Sequence, residues 1–243
     1  MFSGVIHLPF KEYGRSATGC PLRYIPSDGD CRLLVIAGIH GEEPETTFLL
    51  SRALRLCGCT MEHTAFVLCA NPDGMTLGTR GNANGVDLNR NFPTSNWSSS
   101  PVLVRSVLEA ERDTELSPGT SSGSEPETQA LVRLIEALAP EAILSMHAPI
   151  GCVDAPEKSP LVQSLCEAFR LPWSPDIGYP TPGSLGTWCK EAGSGTSTKR
   201  PECITLELPR LSPEALYERY GKDFAKWLKK CVMCSVKCEM KKE

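Results

Sequence analysis

The residues of this 243-residue chain best suited to chemistry stand where apolar runs end. Leu33 to Ile39 reads as a buried strand that gives way at Gly38-Ile39-His40-Gly41-Glu42-Glu43-Pro44, with Pro44 opening a helix. His40 and Glu43 thus fall on a turn at the carboxyl end of a strand, where open α/β sheets build their sites. His-x-x-Glu across such a turn can aim an imidazole and a carboxylate at one point. Zn²⁺ accepts such donors, and a catalytic zinc takes three protein ligands and a water. Alone, the pair also reads as an exposed charged turn. His147 ends a second apolar strand, Ala142 to Met146, and completes a His/Glu/His set. Of the four histidines, His7 and His63 lack this context and read as surface or strand residues.

Two further features could act beside such a centre. Glu207 sits in the otherwise apolar run Cys203 to Leu208, where an unpaired carboxylate is expensive to bury. Near a metal-acidified water it could take a proton and return it to a leaving amine; the alternative is a salt bridge to an arginine. The loop Arg80-Gly81-Asn82-Ala83-Asn84-Gly85-Val86-Asp87-Leu88-Asn89-Arg90-Asn91-Phe92-Pro93 is too polar to pack a core. Arg80 and Arg90 offer planar forks that suit a carboxylate, or that could polarise a carbonyl and stabilise its oxyanion.

The elements that must position these groups alternate. Strands are expected at 22–25, 32–39, 63–70, 142–146 and 203–208. Helices are expected at 44–56, 124–138, 160–170, 185–192 and 212–230, with Ser124-Glu125-Pro126-Glu127 as a capping box. Asn71-Pro72-Asp73-Gly74 reads as a turn, 101–112 as a helix, and Ser117 to Gly123 as a loose connector. The alternation predicts one α/β/α sandwich rather than separate domains. It spans 1–243 as a single domain, with about 231–243 a loose tail.

Composition excludes several classes. A net charge of -4, from 25 basic and 29 acidic residues, gives no reason to expect nucleic acid or an anionic membrane as partner. No apolar run reaches the roughly 18 residues of a spanning helix, and the N-terminus lacks the pattern of a signal peptide. The 12 cysteines are therefore expected as reduced thiols in a cytoplasmic protein. Several of them, Cys69, Cys166 and Cys203, stand inside apolar patterns.

In order, His40-x-x-Glu43, Asn71-Pro72-Asp73-Gly74, Gly85-Val86-Asp87-Leu88-Asn89-Arg90-Asn91-Phe92-Pro93, His147 and Glu207 resemble the zinc metallocarboxypeptidases over roughly 12–230. Gly123-Ser124-Glu125-Pro126-Glu127-Thr128 and Thr181-Pro182-Gly183-Ser184 are similar to a short bacterial group among them that acts on murein peptides. The resemblance implies a central mixed, mostly parallel twisted sheet and one Zn²⁺ held by His40, Glu43 and His147. Glu207 is then the general base and acid, and Arg80 polarises the scissile carbonyl. Asn89 and Arg90 clamp the terminal carboxylate. The implied substrate is the small murein peptide L-Ala-γ-D-Glu-meso-diaminopimelate, cut before diaminopimelate in cell-wall recycling. Its far end carries an ammonium and a second carboxylate, for which Asp154 is a candidate acid. The family's mobile tyrosine has no fixed place here: Tyr179 is nearest, with Ser184 or Trp188 as substitutes.

The same ligand pattern also resembles N-acyl amino acid deacylases of the aspartoacylase and succinylglutamate desuccinylase kind. Asn71-Pro72-Asp73-Gly74 and the lack of an obvious extra C-terminal β domain speak against them. A non-catalytic peptide- or zinc-binding module is a third reading. Cys231-x-x-Cys234-x-x-x-Cys238 reads as a helix end and loose tail rather than a metal site.

Overall fold

In the computed structural model, residues 8–58, 61–106, 111–191 and 200–239 are described, with the backbone alone for Ser106 and 231–239. His7 and residues 240–243 of the expected tail lie outside them, as do the side chains of Cys231, Cys234 and Cys238.

The centre is a six-stranded sheet. Its strands are β3 (Asp28–Ile36), β4 (Glu62–Val67), β7 (Ala142–His147), β8 (Ile150–Asp154), β9 (Trp173–Ser174) and β10 (Glu202–Pro209), in spatial order β4-β3-β7-β10-β8-β9. β4, β3, β7 and β10 run parallel. β8 runs antiparallel to β10, with β9 parallel to β8. The sheet is therefore mixed and mostly parallel, as expected. A second pairing joins β1 (Lys11–Arg15) to β2 (Pro21–Tyr24).

Helices cover both faces, because side chains alternate across each strand. Leu33, Val35, Leu144, Met146, Ile204, Leu206 and Leu208 pack with α1 (Pro44–Cys57), α4 (Pro160–Phe169) and α6 (Pro213–Glu239). Leu34, Ile36, Ala65, Val67 and Ile143 pack with α3 (Pro126–Leu138) and α5 (Leu185–Lys190). Every residue of β7 is buried, as a strand covered on both faces should be.

Several local expectations are corrected. Asn71 caps a short helix, α2 (Pro72–Leu77), accepting a hydrogen bond from the Gly74 amide, where a turn was expected. The 101–112 segment is not helical over its described part. It forms a hairpin of β5 (Val102–Ser106) and β6 (Arg112–Leu116), with Leu103 turned out to solvent and its neighbours Val102 and Val104 half-buried. The capping box does not form. Glu125 is the N-cap of α3 without a side-chain cap bond, and Glu127 instead accepts from the Ala17 amide and Asn82 Nδ2. Ser117 to Gly123 is tied down rather than loose, since Asn91 Nδ2 donates to Pro118 O (2.8 Å) and Ser121 O (3.0 Å). Finally, α6 continues past Lys230 to Glu239.

Candidate metal centre and active site

Three parallel strands deliver the candidate residues to one edge. His40 and Glu43 follow β3, His147 ends β7, and Glu207 stands beside His147 in register on β10. The turn holding His40 is locked by close backbone approach. A Cβ on Gly41 would lie 2.0 Å from the Gly74 backbone, so only glycine fits. Glu43 precedes α1, whose first residue, Pro44, lacks the amide that would be unsatisfied there.

His40, Glu43 and His147 are buried, and their donor atoms lie within 4.8 Å of one another. His40 Nδ1 is 2.8 Å from Glu43 Oε1, and His147 Nδ1 is 3.2 Å from Glu43 Oε2. The two Nδ1 atoms face each other at 3.1 Å, while each Nε2 meets another partner. His40 Nε2 is 3.3 Å from Asp87 Oδ1 and His147 Nε2 is 3.0 Å from Ser145 Oγ. With each Nε2–H donating to its partner, two Nδ1 lone pairs and a carboxylate converge on one point. This donor set fits a zinc ion. Burial and the Arg80 charge push the His40 pKa down, yet Glu43 and Asp87 outweigh them and leave it raised, so the spot favours positive charge. Burial pushes Glu43 up, but His40 and His147 hold its carboxyl far below the usual range.

Glu207 is 7% exposed, and its Oε2 is buried without a hydrogen-bond partner among the described residues. The expected salt-bridge alternative is not what the structure shows: no arginine pairs with Glu207 among the described residues. Burial, with Glu43 adding to it, raises its pKa against the pull of His147 and His40.

Asp87 ties the loop to this centre, a position that sequence reading left without a role. Fully buried, it meets His40, accepts from Arg80 Nε (2.9 Å) and accepts from the Asn89 amide (2.9 Å). Arg80 Nη1 reaches Glu43 Oε1 at 3.4 Å. Arg90, also buried, folds back on the Asn89 carbonyl (2.8 Å). Asn89 Oδ1 accepts from the Leu185 amide at the start of α5. The signal for Asp87 was its place in the Asp-Leu-Asn-Arg run, but its His40 partner comes from a turn 47 residues earlier in the chain.

One cavity of about 810 Å³ brings together His40, Glu43, Arg80, Asn89, Arg90, His147, Asp154, Ser184 and Glu207. Ser184 caps α5 through the Thr187 amide. Tyr179 also lines the cavity, about half exposed, its hydroxyl pKa raised by burial and the Glu207 charge. Trp188 does not line it. It packs in the core against Phe92 and under Arg200. Cys203, expected in the apolar interior, is half-buried and lines the cavity.

A mixed sheet carrying a buried His/Glu/His centre and a lone glutamate at its strand ends defines a metallohydrolase. The zinc carboxypeptidase family model matches residues 14–149, and the chain belongs to that family. Murein peptide amidase A of Escherichia coli strain K12 is 43% identical over 213 residues, covering 86% of this chain and 85% of the relative. The same-named protein of Vibrio campbellii is 41% identical over 212 residues, covering 86% and 83%. Among solved structures, the murein-tripeptide amidase from Escherichia coli O157 matches with a TM-score of 0.83 at 39% identity, over 93% of this chain and 94% of that one. Bovine thrombin-activatable fibrinolysis inhibitor matches at a TM-score of 0.71 and 19% identity, over 95% and 90%, and shares the fold.

Proposed function

We propose that this chain, as one catalytic domain, is a zinc-dependent amidase for L-Ala-γ-D-Glu-meso-diaminopimelate. It releases diaminopimelate by cutting the γ-D-Glu–diaminopimelate bond. The observation that carries this reading is the convergence of His40, Glu43 and His147 beside Glu207, whose Oε2 has no hydrogen-bond partner among the described residues, in a cavity that also holds Arg80, Asn89 and Arg90. The relatives named for murein peptides support the substrate.

His40, Glu43 and His147 are the ligands we assign to one Zn²⁺, which when bound supplies a Lewis acid and lowers the pKa of water. Glu207 takes the proton of the attacking water and delivers it to the leaving amine. Arg80, held by Asp87, presents its guanidinium to the carbonyl oxygen as negative charge develops there. Asn89 and Arg90 receive the terminal carboxylate. Asp154 faces the substrate's far end, Ser184 shapes the wall, and Tyr179 is placed to cover the bound residue. We assign the protein to the cytoplasm and to murein recycling. The cysteines whose side chains are described are free thiols, as a reducing compartment would keep them.

The test is hydrolysis of the tripeptide, followed by mass spectrometry, with zinc-loaded, chelated and Glu207→Gln protein. Zinc-dependent release of diaminopimelate is expected, with kcat lowered roughly 10²–10⁴-fold in Glu207→Gln while zinc content is kept. An intact tripeptide with zinc-loaded protein refutes the substrate, and N-acyl amino acids become the next panel.

A further inference from the structure

The cavity continues beyond the centre along β10. Cys203, Thr205 and Glu207 alternate along that strand and all line the cavity. Thr205 pairs in register with Asp154 on β8. Two residues of strand separate Glu207 from this level, a depth of about 7 Å. Lys190, at the end of α5, lines the same space. Asp154 is half-buried. Burial raises its pKa, while Lys190 opposes that shift and Asp176 adds to it. Beyond the centre the cavity therefore presents the Asp154 carboxylate and the Lys190 ammonium, with Thr187 and Thr205 also lining it.

Resting on the amidase reading above, we infer that Lys190 is a specificity residue that receives the distal carboxylate of the diamino diacid, while Asp154 receives its distal ammonium. The methylene chain of such a residue spans a depth of this order. A peptide ending in lysine offers the ammonium alone. It leaves Lys190 unmatched and brings a like charge near it, which disfavours the wrong ligand as well as favouring the right one.

The experiment compares kcat/KM for L-Ala-γ-D-Glu-meso-diaminopimelate and L-Ala-γ-D-Glu-L-lysine in zinc-loaded wild type, Lys190→Gln, Lys190→Glu, Lys190→Arg and Asp154→Asn. Lys190 is exposed at a helix end, and circular dichroism checks the fold of each variant. The wild type is expected to prefer the diacid. Lys190→Gln lowers the ratio roughly tenfold, chiefly through KM, Lys190→Glu lowers it further, and Lys190→Arg restores it. Asp154→Asn weakens both peptides together, because both carry the ammonium. A ratio within about twofold of wild type in both Lys190→Gln and Lys190→Glu overturns the inference and leaves the amidase standing. A wild type that cleaves neither peptide overturns the amidase reading, and the inference falls with it.

Discussion

At the scale of single residues, Glu207 and Asp87 are two buried carboxylates with opposite environments. Arg80 and His40 overcome burial at Asp87 and hold its pKa far down, so it stays ionised as a fixed anchor. At Glu207 burial outweighs the pull of His147 and His40, and its pKa lies above the ordinary value of about 4.3. In the metal-free protein Glu207 is therefore expected to take up its proton above the pH at which an exposed glutamate titrates, as read from its carboxyl chemical shift by NMR. Asp87→Asn removes the carboxylate that orients His40, and metal affinity is expected to fall roughly 10–100-fold, as read by competition with a chromogenic chelator. His40, Glu43, His147 and Glu207 were legible in the sequence because each breaks an apolar run at a point where a polar group needs a reason. Asp87 was not, because its reason lies in the guanidinium and imidazole that the fold brings to it.

Among elements, the strands and helices with long apolar patterns were legible, and the short ones at the rim were not. Val102-Leu103-Val104 satisfies a helical reading and a strand reading alike, and pairing with β6 decides for strand. β8 follows His147 within a few residues, too closely for the sequence to separate it from β7. Ser124 and Glu127 had the spacing of a capping box, but Asn91 and Asn82 compete for the same groups: Asn91 Nδ2 donates to Ser124 Oγ and Asn82 Nδ2 donates to Glu127. Asn91 is the pin of this region, buried and bonded to Pro118, Ser121, Ser124 and Glu125. Asn91→Ala leaves several of these groups unsatisfied and is expected to cost about 3 kcal/mol. That lowers Tm by roughly 5–10 °C, measured by scanning calorimetry on the metal-free protein.

For the whole molecule, the proposed metal centre joins segments far apart in the chain, so bound zinc would stabilise the fold as well as serve the reaction. A ligand that binds only the folded state at about 1,000 times its Kd adds about 4 kcal/mol. Chelation is thus expected to lower Tm by roughly 10 °C, with re-addition of zinc restoring it. The sheet order adds a consequence in time. β10 is the last strand in the chain, yet it lies between β7 and β8, which precede it and flank it on either side. All three residues assigned to the metal precede it as well. During synthesis from the N-terminus, a nascent chain carries its complete ligand set long before it carries Glu207. The strand that fills the gap in the sheet is also the one that brings the base. On the proposed mechanism, ribosome-bound chains ending before residue 200 would hold the parts to capture the ion but lack the group that moves the proton, so completing the fold and acquiring activity would be one event.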